Sequence, residues 1–442
     1  MVSIRYLFTI FHRFGMISLH HYKSERLNKL HERYVKLCNC LVGCFLLSQT
    51  YSIITRATQY TPELIWTCIL NFTLWFLWYV ALFTQANYKQ ILYFFDLVDL
   101  FSKADKQVIQ KSYREAKQIY IGMFVTISFV YVAILIQSVT PIPHNELDIR
   151  RNIYKTKHPE RHLPYDIRIP FIDESESWAY RILFVYQLYI LTYFSVCTPS
   201  VMSFLPVVMI HLRGQYEILC KYINLIGQEH RDACGNAIYY TNIEEDQYEI
   251  LKKEAPFPKR LIITREQLIQ MEMKKIRRQK KYEAHYLRQI IRFHQRLLFC
   301  QLEYTRIISP LILGIVILNS ILFILCLYQL VIGSSNLSPP RYYTMVGILI
   351  GVMVEFFVIC NTSEVADDCS NLLMINGIKH SSWEKASNQT RRYLCVMLRR
   401  VQRPNHLSFN EGMIILSRLL FLRLVRVAYS FVNFMGSRSV GK

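Results

Sequence analysis

The chain has 442 residues, of which 52% are hydrophobic, 14% are aromatic and only 19% are charged. Soluble domains carry about 25% charged residues, and the apolar residues here come in blocks of the roughly 20 that a helix needs to cross a bilayer. The net charge of +20 would suggest nucleic-acid binding in a soluble chain, but the basic residues lie between the apolar blocks, as the positive-inside rule requires. We therefore expect a polytopic helical membrane protein that binds no nucleic acid.

The N-terminal 36 residues are basic, and Arg5, His12 and Arg13 interrupt their short apolar runs. This pattern, without a cleavage site of small residues, is not typical of a signal peptide. It predicts a cytosolic amphipathic segment, residues 1–36, that lies on the membrane surface.

Seven apolar blocks predict an all-α protein with seven transmembrane helices. The blocks cover about residues 37–54, 64–83, 119–139, 178–212, 297–332, 342–360 and 411–435. The most basic connections are 87–117 and 213–296, so we expect these and the N-terminus in the cytosol. The loop 140–177 and the tail 436–442 are then extracellular.

Two of the predicted helices are longer than a bilayer requires. The fourth continues past Arg213 and the fifth begins near Arg265, so that the segment 213–296 contains cytosolic extensions of both. A helix of about 60 residues reaches roughly 90 Å, or three bilayer cores. Residues 363–410, between the sixth span (in block 297–362) and the seventh, are polar and compatible with a helix. Together these segments predict a helical cytosolic anchor below the helices of 37–212 and 297–362.

The sequence contains no catalytic motif of the GxSxG, GxGxxG, P-loop or HExxH type. We expect no enzyme, no cofactor and no metal site. Glu355 lies deep in the sixth predicted span, where an acidic group is a candidate functional residue. The alternative is a carboxylate near the inner helix end, paired with a basic neighbour.

The last predicted helix carries a polar stripe. At 100° per residue, the side chains of Arg426, Ser430, Asn433 and Ser437 share one face with Arg423. An arginine facing hydrocarbon costs at least about 2.5 kcal/mol, so the stripe predicts an internal cavity or the central pore of an oligomer. Alternatively, Arg418 and Arg423 extend to the cytosolic interface.

Aromatic residues form two helix faces with i, i+3, i+7 spacing. One is in the second span and the other in the fourth, and Tyr131 in the third span adds a further ring. If these faces converge, they make an apolar pocket with a few hydroxyl and indole donors. The alternative is ordinary helix packing with an interfacial aromatic belt.

The C-terminal hundred residues resemble the insect odorant receptor family. The resemblance rests on Trp383 after a short polar run, a basic helix, the step "QRP" at 402–404 and a last helix ending in "AYSF" at 428–431. The loop sequence "HLPYDIRIPF" and the seven-span layout with the N-terminus inside are also similar. The resemblance is dense only in the last quarter of the chain.

The resemblance implies an odorant-gated, non-selective cation channel. A ligand-tuned subunit, such as this one, would assemble with the shared co-receptor into a heterotetramer in the plasma membrane of olfactory sensory neurons. The last helix would line the pore through Arg426, Ser430 and Ser437, with Val432, Asn433 and Gly436 near the outer narrowing. A small volatile lipophilic odorant would bind among spans two, three, four and six. The residues expected there are Phe72, Trp75, Tyr79, Tyr131, Tyr186, Tyr189, Tyr193 and Met345.

Two other chemoreceptor classes and a transporter are the alternatives. A G-protein-coupled receptor would have its N-terminus outside, and no DRY or NPxxY motif is present. A gustatory receptor would end in TYxxxxxQF, whereas Tyr429 is followed here by "SFVNFMG". A transporter would need internal repeats or charged, broken helices, which the sequence does not contain.

Overall fold

The computed structural model describes residues 4–18, 24–142, 144–251, 265–331, 339–402, 407–409 and 412–440, and every structural statement below refers to these. They form twelve α-helices and two small antiparallel sheets. The helices are α1 (Ile4–Arg13), α2 (Glu25–Thr55), α3 (Thr61–Ala86), α4 (Tyr88–Asp99), α5 (Lys106–Val139), α6 (His144–Asn152), α7 (Ser177–Asn224), α8 (Arg265–Val331), α9 (Pro339–Asp368), α10 (Met374–His380), α11 (Asn388–Val401) and α12 (Arg418–Val440). The strands are β1 (Ile238–Asn242), β2 (Gln247–Ile250), β3 (Ser408–Phe409) and β4 (Ile414–Ile415).

Seven of these helices, α2, α3, α5, α7, α8, α9 and α12, are long and apolar enough to cross a membrane. The predicted seven-helix fold is therefore confirmed. The bundle has two ends. The loop end contains α6, the end of α2 and the starts of α3, α7 and α9, whereas the foot end contains α4, α10, α11 and both sheets.

Helix α7 lies at the centre of the bundle. It packs against α1, α3, α5, α8, α9 and α10, and 83% of its most apolar 18-residue stretch is buried. Its polar side chains Gln187, Ser200 and Ser203 are completely buried. Protein atoms replace water as partners for two of them. Gln187 binds the Tyr165 backbone. The Ser200 hydroxyl donates to the Val196 carbonyl of the same helix.

Helices α7 and α8 both continue into the foot, as their sequences predict. Helix α8 has 67 residues and is about 100 Å long. It contains no Gly or Pro before Pro310, and residues with high helix propensity fill its polar half. In the foot, Glu217 of α7 joins Lys111 of α5 at 3.3 Å and Arg213 at 3.1 Å.

The N-terminal segment differs from its prediction. Helix α1 buries Leu7, Phe8 and Phe11 inside the protein instead of resting on a membrane surface. The Phe8 ring contacts Phe95 of α4 and Phe204 of α7, with centroids 4.8 and 5.3 Å away. The apolar face that we assigned to lipid therefore finds a protein partner.

The last helix also differs from its prediction. It begins at Arg418 instead of residue 411, which lies outside the described residues, and it continues to Val440 through most of the predicted tail. The short pairing of β3 with β4 occupies the preceding segment, and Gly412 has a φ of 93°. The Ser417 hydroxyl accepts a hydrogen bond from the Leu420 amide at 3.3 Å and so caps the helix.

Gly227 ends the α7 region against the turn before α11. Its φ is +79°, and an added Cβ would lie 1.9 Å from the Ser382 carbonyl oxygen. The Ser382 amide donates to the Ile226 carbonyl at 3.1 Å, so the two segments are held at backbone contact distance. Only glycine fits this position.

We expect Gly227→Ala to lower the free energy of unfolding by about 3 kcal/mol, from backbone strain plus overpacking. Gly235→Ala is the matched control, since Gly235 has the same φ of +79° but no atom within 4 Å of its Cβ position. It should lose only about 1 kcal/mol. Thermal unfolding of the detergent-purified variants measures both, and equal losses would contradict the proposed contact.

Candidate functional site

An apolar cavity of about 100 Å³ lies inside the helical bundle. Helices α3, α5, α7, α8 and α9 line it, and the loop between α6 and α7 contributes one residue. The lining residues are Ile69, Leu70, Thr73, Leu74, Thr126, Ile127, Val130, Tyr131, Ile134, Tyr165, Thr198, Met202, Leu318, Asn319, Leu322, Ile348, Gly351, Val352 and Glu355. Such a chamber suits a small lipophilic molecule.

Helical spacing brings the lining residues of α9 onto one face. Ile348, Gly351, Val352 and Glu355 have i, i+3, i+4, i+7 spacing. An added Cβ on Gly351 would lie 3.8 Å from Thr126, at ordinary van der Waals distance, so α5 and α9 are neighbours at this position.

Three polar features interrupt the apolar wall. The Tyr131 and Thr198 hydroxyls form a hydrogen bond of 3.1 Å between α5 and α7. The Asn319 amide donates to the Glu355 carboxyl at 3.4 Å between α8 and α9. The buried hydroxyl of Tyr165 has no hydrogen-bond partner among the described residues.

The Tyr165 backbone is fixed by a side chain of α7. Its N–H donates to Gln187 Oε1 at 2.8 Å, and Gln187 Nε2 donates back to its carbonyl at 3.0 Å. This double hydrogen bond attaches the loop to the bundle and directs the ring of Tyr165 to the cavity wall.

Of the eight predicted pocket residues, all of which are described, Tyr131 lines this cavity. Met345 is buried on α9, one turn before the lining residue Ile348, but does not itself line the cavity. Phe72 and Tyr79 are 44% and 43% exposed on the outer side of α3.

The remaining predicted residues contact helix α2 instead. Trp75 Nε1 donates to Thr50 Oγ1 at 3.2 Å, and the Tyr186 hydroxyl donates to the Leu41 carbonyl. The Tyr189 hydroxyl is 3.3 Å from the Cys38 sulfur, and Tyr193 is buried beside Tyr189. The spacing correctly predicted shared helix faces, but Trp75, Tyr186 and Tyr189 contact α2, and the two faces do not converge on the cavity. A role for these residues in ligand binding remains a prediction.

The sequence analysis missed most of the cavity wall because aliphatic residues at helical spacing are indistinguishable from ordinary packing. Only Glu355 carried a visible signal, as an acid within an apolar block. The basic neighbour that we considered for it is absent from the described lining of the cavity, where its partner is Asn319.

A buried cluster of charged residues closes the loop end of the bundle. Arg150 Nη2 binds Glu146 Oε1 at 2.9 Å and lies 3.9 Å from Asp166 Oδ1. Arg341, which is buried, lies 3.6 Å from the same Glu146 oxygen. The Tyr154 hydroxyl donates to buried Glu63 at 2.9 Å. These contacts join α3, α6, α9 and the loop that follows α6.

The pKa values in this cluster shift with their surroundings. Burial lowers the pKa of His162 to about 4, and the Arg150 guanidinium acts in the same direction. Burial would raise the pKa of Asp166, but His162, Arg150 and Arg341 outweigh it and hold the pKa below its usual value. At neutral pH the cluster therefore contains a neutral His162 and an ionised Asp166.

Helix α12 has three distinct faces. Phe421, Val425, Ala428 and Val432 lie on the face that packs against α8 and α9. Arg423, Arg426, Ser430, Asn433 and Ser437 are all exposed on the opposite side. An apolar side that includes Phe431 lies between these two faces. The polar stripe therefore faces away from its own subunit, which overturns the internal-cavity interpretation.

Two of the predicted pore residues differ from the rest. Val432 is only 3% exposed and packs inside the subunit. Gly436 is half-buried. In this arrangement the outward stripe consists of the predicted residues Arg426, Ser430, Asn433 and Ser437.

A larger cavity, of about 470 Å³, lies in the foot between α4, α5 and α7. Its lining includes Asp99, Lys103, Tyr113, His211 and Gln215. This lining mixes charged and polar groups with Phe95, Val98 and Ile109, whereas the wall of the cavity among the spans is mostly aliphatic, so the latter is the better candidate for a lipophilic ligand.

Residues 63–429 match the family model described as 7tm Odorant receptor. The chain belongs to this odorant receptor family. It is therefore a multi-pass membrane receptor and not an enzyme. No curated protein matches the chain significantly.

The fold is similar to solved structures of an insect olfactory receptor. The receptor OR5 from Machilis hrabei matches with a TM-score of 0.70 and 12% identity, over 98% of this chain and 97% of that one. The same receptor in complex with eugenol matches with a TM-score of 0.69 and 12% identity, over the same shares of the two chains.

We expect mild acid to destabilise the loop end. Because the pKa of His162 is lowered in the folded state, the unfolded state binds more protons between pH 6.5 and 4, and stability falls as the pH drops through this range. The contribution of His162 to this loss at pH 5 should be about 2 kcal/mol, whereas Glu63 of the same cluster, whose pKa burial raises to about 7, acts in the opposite direction. Asp166 and Glu146 have lowered pKa values and add to the loss only below their ordinary values of 3.8 and 4.5.

Thermal unfolding at pH 7.5, 6 and 5 measures this effect. His162→Asn should reduce the loss of stability between pH 7.5 and 5. His158→Asn, at a partly exposed histidine four residues earlier, should leave this loss unchanged. An unchanged dependence in His162→Asn would rule out His162 as its source.

Proposed function

We propose that this chain is the odorant-binding subunit of a ligand-gated, non-selective cation channel that assembles with the shared odorant receptor co-receptor. It would act in the plasma membrane of olfactory sensory neurons, with its N-terminus in the cytosol. Membership of the odorant receptor family supports odorant detection. The observation that carries the proposal is the apolar cavity among five helices of that fold.

The cavity has the properties that a volatile lipophilic ligand requires. Its wall is mostly aliphatic, and its few polar groups are isolated points that can orient a bound molecule. The similar OR5 structure is in complex with eugenol, a small molecule, which supports the same class of ligand here.

The exposed stripe on α12 supports a role in conduction. Arginine, serine and asparagine side chains are unfavourable against hydrocarbon, so a partner subunit or water should cover them. When several subunits each present such a helix, the stripes surround a polar axis. We propose that Ser430, Asn433 and Ser437 line this axis, with Arg426 on the same side.

Recording from cells that express the chain alone and with an insect co-receptor tests the proposal. We expect a fast cation current in response to small odorants only on co-expression, with G-protein signalling blocked. Ile348→Phe, which fills the cavity, should raise the half-maximal concentration at least about tenfold. Tyr343→Phe, on the same helix but 71% exposed, should not. A normal response of the Ile348 variant, with surface expression verified, would exclude this cavity.

Asn433→Asp tests the conduction path separately. A carboxylate ring in a cation pore concentrates cations, so the permeability ratio of Ca²⁺ to Na⁺ should rise at least about twofold. The control is Phe431→Leu, on the apolar side of the same helix. Identical reversal potentials in wild type and the Asn433 variant would remove Asn433 from the pore.

A further inference from the structure

Glu355 is an acidic side chain at bilayer depth, and no basic side chain accompanies it among the described residues that line the cavity. In the described wall of the cavity there is no Lys, Arg or His, and the Asn319 amide at 3.4 Å is the hydrogen-bond partner of this carboxyl. Asn319 is itself almost completely buried. Glu355 is half-buried, and a carboxyl at this depth loses part of its hydration unless a polar partner replaces the water.

Both protonation states of Glu355 leave an unused acceptor. A carboxylate has two acceptor oxygens, and a carboxylic acid keeps its carbonyl oxygen. The long bond from Asn319 occupies one oxygen only. In the ionised state, a ligand N–H or O–H group can pair with the free oxygen. In the neutral state the acid O–H also needs an acceptor, and an alcohol or amine supplies donor and acceptor with the same group.

The polar pair lies at one end of the cavity. Gly351 of α9 lies level with Thr126 of α5, and Gly347 with Phe129, so the two helices run antiparallel. On this register Tyr131 lies roughly 10 to 15 Å from Glu355 along the helix axes. The wall between them is mostly aliphatic. A ligand bound at Glu355 would place its apolar part toward Tyr131.

We propose that Glu355 and Asn319 form the polar subsite that selects small lipophilic ligands with a terminal hydrogen-bond donor, namely alcohols and amines. This rests on the proposed function and specifies its ligand class. A site that hydrogen-bonds a ligand hydroxyl discriminates strongly against the analogue that lacks it, because the buried polar groups are then left without a partner. A cavity of about 100 Å³ suits molecules of about six heavy atoms.

The test compares pentan-1-ol, pentylamine and butyl methyl ether, an isomer of the alcohol that has no donor. Binding is measured as the ligand-induced rise in Tm of the purified full chain, and potency as current in cells with the co-receptor. We expect the alcohol and the amine to bind at least tenfold more tightly than the ether. Equal affinity of alcohol and ether, or no binding of any probe, would overturn the proposal.

Two variants at one position separate recognition from structure. Glu355→Leu removes both acceptors, and the alcohol-to-ether ratio should fall to about one while ether binding is retained. Glu355→Gln keeps one acceptor oxygen, and it should retain the alcohol and lose the amine about tenfold. Asp368→Asn, an exposed acid at the end of the same helix, is the control and should change neither ratio.

The outcomes also separate this inference from the proposed function. Selective binding without current would support the donor subsite and contradict the channel. Current with unchanged ratios in the Glu355 variants would support the channel and overturn the subsite. If Glu355→Leu fails to fold, Glu355→Gln tests the subsite alone. A ratio of amine affinity to alcohol affinity equal to that of the wild type would overturn it.

Discussion

A polar group at bilayer depth must find its partner inside the protein, since lipid offers none. Most of this structure follows from that requirement. Buried Gln187 satisfies its amide by holding both backbone groups of Tyr165. Glu146 and Arg150 form a close ion pair at the loop end, and Arg341 lies 3.6 Å from the same Glu146 carboxylate. The same cluster connects the loop after α6 to the ends of three helices.

The two proposed sites are among the places where a single chain does not meet this requirement. The stripe on α12 has its arginines and Asn433 exposed on a helix whose other side packs against α8 and α9. Glu355 has an amide neighbour but no charge partner in the described cavity wall. In the first case further subunits and water are the missing partners, and in the second a ligand is.

The sequence predicted the seven helices and the long extensions of α7 and α8 because these depend on local properties. Helix length, apolar content and the absence of Gly and Pro can all be read along the chain. The start of α12 was wrong because it depends on the pairing of β3 with β4, for which the sequence gives no local signal. The surface location of α1 was wrong because an amphipathic face does not specify whether lipid or protein covers it.

The candidate site was predicted less well for a related reason. Spacing shows which residues share a face but does not identify the neighbouring helix. Trp75 and Tyr186 therefore meet α2, whereas Ile348 and Val352, which look like ordinary core residues, line the cavity. Glu355 and the arginine stripe could be found because a charge in an apolar block conflicts with its surroundings. Charged residues in apolar blocks therefore predicted the candidate sites better than aromatic residues did.

Three consecutive residues of α9 contact two different parts of the protein. Glu355 lines the cavity, whereas the rings of Phe356 and Phe357 lie 6.2 and 5.5 Å from Phe421 of α12. One helical turn thus contacts both the ligand chamber and the helix that would line the pore. In the proposed channel, coupling through this turn is reciprocal. The open state must then hold its ligand more tightly than the closed state, by the same factor by which the ligand favours opening.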